Sequence, residues 1–264
     1  MEKKDIKNPK LTIITPVLND LEGLVLCSNS LGKSSGDFEH IIVDGNSVDG
    51  SFEYALKLSK KPFTKVFKQT SKYIYGAFND GLAQAEGEYV IFLHCGDILD
   101  LNLVLKLVNK YDDDLIACSC SQKQGKKIVY YYRSERDQIS AASMSILQPS
   151  LLIKLKKYRE VGGFDEKLKI SADVDCVLKI LKSNCKSRYV DDLVVHMEEF
   201  GASGSQYFTK LKDHTVIKYR HRNIFSAAAY IPIRLFRDFI IIPIWITVKK
   251  YLKLNLDSKI GKNK

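Results

Sequence analysis

The stretch YIYGAFNDGLAQAEGEYVIFLHCGDIL, residues 73–99, decides how the rest of the chain is read. Its centre, Tyr89–Leu93, is a continuous apolar run of the length of a buried strand. Tyr75–Ala85 before it reads as a helix. After it comes a short loop, His94–Asp97, and then Asp100, placed to cap a further helix through about Asn109. Helix, doubly buried strand and helix in succession form a unit of an α/β sheet.

Working outward, Leu11–Thr15 is a short β-branched run closed by Pro16, and Phe38–Val43 is a second. The turn sequence DGNSVDG, residues 44–50, leads into a helix that Ser51 can cap and that runs to about Ser59, with Phe52, Ala55, Leu56 and Leu58 on its apolar side. Thr64–Phe67 is a weaker strand. Because the strands are unbroken rather than alternating apolar runs, both faces of the sheet are expected to be covered, as in mostly parallel sheets. Ligands of such sheets lie beyond the carboxyl ends of the strands. Those ends here are Thr15-Pro16, Asp44 and His94–Asp97.

Past residue 110 the pattern changes. Leu115–Ser119 and Ile128–Arg133 read as a hairpin, and Lys154–Val161 and Ala172–Lys182 as helices joined by GGFDE. With no repeat and no low-complexity linker, residues 1–210 are expected to be one domain, followed by a tail over 211–264. The 264 residues are 45% apolar and 27% charged, which excludes wholesale disorder and a multi-span membrane protein. The formal charge is +10, but it is unevenly spread. Residues 211–264 hold 12 of the 41 Lys and Arg and 3 of the 31 Asp and Glu, leaving 29 basic and 28 acidic residues before them. A balanced body argues against nucleic acid as the partner; a basic tail points to an anionic surface. The six cysteines show no CxxC or zinc spacing, and the N-terminus lacks the apolar core of a signal peptide. Free thiols in a cytoplasmic compartment are expected.

Three stretches invite chemistry. Residues 44–51 fail as an EF-hand loop, because Val48 takes a ligand position and no Glu closes the loop, and as a phosphate loop, because the lysine is absent. A tight strand-to-helix turn is the plain alternative. Asp97, at a strand end, is suited to a hard divalent cation or simply shapes the turn before Asp100. Asp173 opens a helix, where it either acts as a general base or complements the helix dipole behind a Ser171 cap.

Taken together, LTIITPVLN, IIVDGNSVDGS, the stretch 73–99 and GGFDEKLKISADVDCVLKILK resemble, in order and spacing across residues 11–184, the inverting family 2 glycosyltransferases of GT-A fold. The likeness is to those that build bacterial surface polysaccharides of the colanic acid and O-antigen type. It implies a mostly parallel central sheet flanked by helices, followed here by a basic helical tail. It further implies a nucleotide-sugar donor, UDP-linked in most such enzymes, with Thr15 and Pro16 beside the nucleotide and Asp44 against its base. Tyr75 and Asn79 match the helix over the donor pocket. Asp97 matches the last acid of the motif that holds Mg²⁺ or Mn²⁺, and Asp173 the catalytic base. Gln148-Pro149 falls where a His-Gln pair is common on the acceptor side. Leu18 stands where Tyr is common, Tyr73 where Gly is, Gly76 where Asp is, and Gly96 where a second metal-motif Asp is frequent. A catalytically inactive sugar-nucleotide-binding relative is the alternative these departures leave open.

In the tail, Phe239–Val248 is an apolar run too short to span a bilayer. Arg234, Arg237 and Asp238 share one helical face, Lys218, Arg220, Arg222, Lys249, Lys250 and Lys253 flank the apolar residues, and Trp245 stands among them. These features fit a peripheral helix on the anionic cytoplasmic face of the inner membrane, near a lipid-linked saccharide acceptor. A homodimer contact is the competing reading.

Overall fold

The computed structural model describes residues 9–32, 37–124, 127–132, 147–198 and 207–241. The chain divides into two compact units, Met1–Asp213 and His214–Lys264.

The first unit opens with β1 (Leu11–Val17), α1 (Leu21–Ser30), β2 (Phe38–Asp44), α2 (Ser51–Leu58), β3 (Thr64–Lys68), α3 (Tyr73–Gln84) and β4 (Tyr89–Phe92). It continues with β5 (Ile98–Leu99), α4 (Leu101–Lys110), β6 (Leu115–Gln124), β7 (Lys127–Tyr132), a 3₁₀ turn at Gln148–Ser150 and β8 (Leu151–Lys154). Then come α5 (Leu155–Val161), α6 (Ala172–Lys182) and β9 (Ser187–Glu198). Strand order is β3-β2-β1-β4-β8-β6-β9-β5, with β7 paired to β6. The first four strands are parallel. Strand order reverses at the β1–β4 pair, so a crevice is expected beyond the carboxyl ends of β1 and β4.

The runs Leu11–Thr15, Phe38–Val43 and Tyr89–Leu93 are buried throughout, whereas Thr64–Phe67 is only partly so. Leu11, Ile13, Ile14, Ile41, Ile42, Val43, Val90 and Ile91 are without exposed surface, consistent with helices on both faces. An aromatic cluster fastens α3 to the sheet: Phe78 lies 4.4 Å from Phe92 and 5.3 Å from Phe164, and Phe92 5.7 Å from Tyr158, centroid to centroid. Buried rings of this kind contribute about 1.5–3 kcal/mol each.

Two expected caps are made differently. Gly50, left-handed at φ 95°, occupies the cap of α2. Ser51 is the first helical residue, and its amide and hydroxyl both donate to Asp49, at 3.0 and 2.6 Å. Ser171 makes no side-chain cap bond to α6; the carboxylate of Asp213 accepts the amides of Ile170 and Ser171 just before the helix. Asp100 caps α4 as expected, accepting the Leu103 amide at 3.0 Å. All six cysteines are free. α1, β5, β8 and β9 are absent from the sequence reading.

α7 (Tyr207–His221) runs across the division between the units, and α8 (Ile224–Phe236), with Pro232 inside it, leads into a π turn at Arg237–Ile241. Among the described residues no helix is long and apolar enough to cross a membrane. Most of Phe239–Val248, with Trp245 and the lysines after it, lies outside the described residues.

Candidate active site

The loops at the carboxyl ends of β1 and β2 form a stitched floor. The Gly45 amide donates to the Val17 carbonyl at 2.8 Å, Val48 N to Asn19 Oδ1 at 2.8 Å, and Leu21 N to Asp49 Oδ2 at 2.9 Å. Asp44 is fully buried, and its carboxylate accepts the amides of Asn46 at 3.0 Å and Ser47 at 3.2 Å. It therefore folds the loop that follows it. Thr15 is also buried, its hydroxyl 3.0 Å from His40 Nε2. Burial takes the His40 pKa down to about 3, so that ring is neutral. Pro16 is partly exposed, and its carbonyl lies 3.5 Å from the Cys95 thiol. That contact joins the floor to the loop carrying Asp97.

Asp97 is 6% exposed. Burial pushes its pKa up to about 7, and the nearby Glu198 carboxylate adds to the rise. Pairing of β5 with β9, Ile98 opposite His196, sets the end of β9 beside this loop. The Glu198 amide donates to Asp97 Oδ1 at 3.4 Å. Gly96, at φ +87°, would place a Cβ 3.3 Å from Glu198 Oε2. Among the described residues no Lys or Arg pairs with Asp97, and no group of three or more His, Cys, Asp or Glu comes together. The two carboxyl groups of Asp97 and Glu198 are hard oxygen donors of a kind that would suit a divalent cation, phosphate and water supplying its remaining ligands. His94, three residues earlier, is held near a pKa of about 4 by burial, and packs edge-on to Phe78 at 5.7 Å.

Asp173, at the head of α6, is half-buried. Desolvation lifts its pKa to about 6, against a hydrogen bond from Tyr75, the helix-start amides and the charge of Lys210. Tyr75, on α3, gives its hydroxyl to Asp173 Oδ1 at 3.0 Å and to the Ile170 carbonyl at 2.6 Å. Ring contacts run from Tyr75 to Phe78 at 5.6 Å and on to His94, so a packed chain links the Asp173 region to the Asp97 loop.

Asn79, one turn along α3, is engaged at both ends of its amide. Oδ1 accepts the Phe164 amide at 2.9 Å, and Nδ2 donates to the Phe164 carbonyl at 2.9 Å and to Glu166 at 3.0 Å. Gly163, at φ +72°, makes room for it, because a Cβ there would lie 2.6 Å from Asn79 Oδ1. On the far side of the same segment Asp213 Oδ2 accepts the amides of Ile170 at 2.8 Å and Ser171 at 3.3 Å. Gln148 is buried, and its Nε2 lacks a partner among the described residues.

The sequence departures have local reasons. An Asp at position 76 would have no room, since a Cβ there would lie 2.6 Å from the Ser71 side chain. Asp80 instead takes the amides of Thr70 and Ser71, at 2.6 and 3.1 Å. Tyr73 sits at φ 61°, a conformation that favours glycine. Glu198 and Asp213 were not found by sequence reasoning. Each acts through a pairing to a segment at least 40 residues away, and neither belongs to a local motif.

The sequence profile described as Glycosyl transferase family 2 matches residues 12–174. A relative in Borreliella burgdorferi named cholesterol galactosyltransferase is 31% identical over 115 residues, which cover 43% of this chain and 32% of that protein. This chain spans about a third of the length of that relative and of a glycosyltransferase of Rickettsia bellii. Among solved structures, S. aureus TarS 1–349 in complex with UDP-GlcNAc superposes with a TM-score of 0.66 at 19% identity, over 87% of this chain and 73% of that one. A Pyrobaculum calidifontis mannosyltransferase in complex with GDP-Man and Mn²⁺ gives 0.61 at 14%, over 94% and 81%. The fold is that of these GT-A proteins.

Proposed function

The chain belongs to glycosyl transferase family 2, and from that premise we propose that it moves a hexosyl or N-acetylhexosaminyl group, with inversion, from a UDP-linked donor to a lipid-linked saccharide in bacterial surface-polysaccharide synthesis. The observation that carries this reading is Asp173. A carboxylate that keeps some exposed surface, yet is raised to about 6 by burial, has the basicity of a general base near neutral pH.

In this reading the floor at Thr15, Pro16 and the Asp44 loop receives the nucleotide. Asp44 contributes by folding that loop. Asp97 and Glu198 would hold Mg²⁺ or Mn²⁺ with the donor diphosphate. Bound there, the ion would offset the charge that grows on the leaving group. Asp173 takes the proton of the attacking hydroxyl, and a single displacement on an α-linked donor leaves a β-linked product. Tyr75 and Asn79 support the base segment from α3, Tyr75 through its hydroxyl and Asn79 through the Phe164 backbone. The TarS structure contains UDP-GlcNAc, a donor of the proposed class, and the Pyrobaculum structure contains another nucleotide sugar, GDP-Man, with Mn²⁺.

For the second unit we propose a peripheral seat on the cytoplasmic face of the inner membrane. Phe225, Ile233 and Phe239 are 82%, 64% and 62% exposed, and Arg234 pairs with Asp238 at 2.6 Å. Such a surface suits an anionic leaflet and an acceptor held in it.

Incubation with a panel of nucleotide sugars and Mg²⁺ or Mn²⁺, followed by release of nucleoside diphosphate, tests the activity. Slow, metal-dependent release from one donor class is expected. Donor binding without release would favour the inactive relative, for which the exposed Leu18, in place of a tyrosine ring, is the specific support.

A further inference from the structure

The Tyr75 hydroxyl lies within hydrogen-bond reach of two acceptors, Asp173 Oδ1 at 3.0 Å and the Ile170 carbonyl at 2.6 Å. A phenol has one proton, so one of them receives the full bond at a time. Everything around that hydroxyl is fixed independently of it. The Tyr75 ring is stacked on Phe164 at 5.7 Å and 22°, and meets Phe78 edge-on. The Ile170 carbonyl belongs to a segment whose amides at 170 and 171 are held by Asp213. Phe164 is held by Asn79.

We propose that Tyr75 is the positioning residue of the base, its hydroxyl turning between Asp173 and the Ile170 carbonyl as Asp173 changes charge. This rests on Asp173 being the base. While Asp173 is ionised it is the stronger acceptor, and the phenol donates to it. Once Asp173 holds the proton taken from the acceptor hydroxyl, the Ile170 carbonyl is the stronger acceptor and the phenol turns there. One proton enters at the attacking hydroxyl, rests on Asp173 and leaves to solvent from its open side. Tyr75 itself neither gains nor loses one, since burial and the Asp173 charge hold its own ionisation far above the usual range. The phenol keeps an acceptor in either state, so Tyr75 does not have to move as the base cycles.

The other groups that bear on Asp173 are Lys210 from α7, Tyr158 from α5 and Cys176 on α6 itself, while Asp213 from α7 bears on Tyr75. Against this fixed background Tyr75 is the partner that favours the ionised form by a hydrogen bond from another element.

The test is the pH profile of nucleoside diphosphate release in the full-length wild type, Tyr75→Phe and Asp173→Asn. Tyr75→Phe keeps the ring contacts and removes only the hydroxyl. Its acid limb should move up by about one pH unit, the size of one hydrogen bond to a charged group, a displacement of the profile that loss of packing alone would not produce. Asp173→Asn should lose most of the rate at every pH. An inactive Asp173→Asn beside a Tyr75→Phe whose limb does not move, or whose rate falls equally at all pH values, would overturn the role of Tyr75 and leave the base assignment standing. An active Asp173→Asn would overturn the base assignment itself. Should Tyr75→Phe fail to fold, 3-fluorotyrosine at position 75 keeps the hydroxyl and makes it a stronger donor. The acid limb should then shift down, and an unmoved limb counts against the proposal.

Discussion

Replacing Gly163 by alanine separates the clamp on the base segment from ordinary backbone strain. Gly162 and Gly163 are both left-handed, at φ +78° and +72°, so alanine at either position carries a conformational cost of about 1–2 kcal/mol, partly offset in the unfolded chain. Beyond that the two sites diverge. A Cβ on Gly162 meets nothing within 4 Å, whereas one on Gly163 lies 2.6 Å from Asn79 Oδ1. Asn79 must then swing away and release both hydrogen bonds to the Phe164 backbone, each worth roughly 1 kcal/mol. Gly163→Ala should therefore cost about 3 kcal/mol and Gly162→Ala about 1 kcal/mol. Urea unfolding followed by circular dichroism reads the difference. In an Asn79→Ala background the excess cost of Gly163→Ala should disappear, because the clash is gone. Equal costs for the two glycine substitutions, or strict additivity of Gly163→Ala with Asn79→Ala, would refute the clamp.

The carboxyl of Asp97, raised from 3.8 to about 7, is bound to its proton more tightly in the folded chain than in the unfolded one. Metal-free stability should fall as pH rises from about 4 to about 7, by on the order of 4 kcal/mol at most. Asp97→Asn should flatten that slope in urea titrations at pH 5 and pH 8, and Mn²⁺ should raise the melting temperature at pH 8 in the wild type only. A wild type with no such slope would contradict the burial argument. Asp213→Ala frees the amides of Ile170 and Ser171 and should destabilise by about 1–3 kcal/mol; kcat should fall more than donor affinity, a split that kinetics beside calorimetry would show or refute. Full-length protein should float with anionic liposomes and less with neutral ones, and Phe225→Ser with Phe239→Ser should reduce flotation; equal recovery from both liposome types would remove the anchor.

What the sequence reveals is what depends on short-range physics. The runs at Leu11, Phe38 and Tyr89 become the parallel strands β1, β2 and β4 because unbroken apolar segments have nowhere else to be buried, and the weaker run at Thr64 adds β3 at the edge. The Asp100 cap and the 115–132 hairpin are equally local. α1 is hidden because Gly23 and the serines 28 and 30 dilute its apolar side, β8 because LLIK runs straight into a helix, and β9 because Asp191 and Asp192 interrupt it. The resemblance picks out Asp97, Asp173 and Tyr75 as candidates, but not the contacts between them and their neighbours, since Glu198 reaches Asp97 through β5–β9 pairing and Tyr75 reaches Asp173 across 98 positions of chain. Ser51 and Ser171 show the same limit: cap-forming residue types stand where they should, but the Asp49 carboxylate takes the first amide of α2 and Ser171 makes no cap bond to α6.

The central claim is that Asp173 directs a nucleophile to the face of the sugar opposite the leaving diphosphate. In the slow hydrolysis of an α-linked nucleotide sugar, water takes the acceptor's place, and rapid proton NMR identifies the first anomer formed before mutarotation. The account predicts β-sugar first in the wild type, with the rate lowered by about 10²–10⁴-fold in Asp173→Asn. α-sugar first, or an undiminished rate in Asp173→Asn, would contradict it.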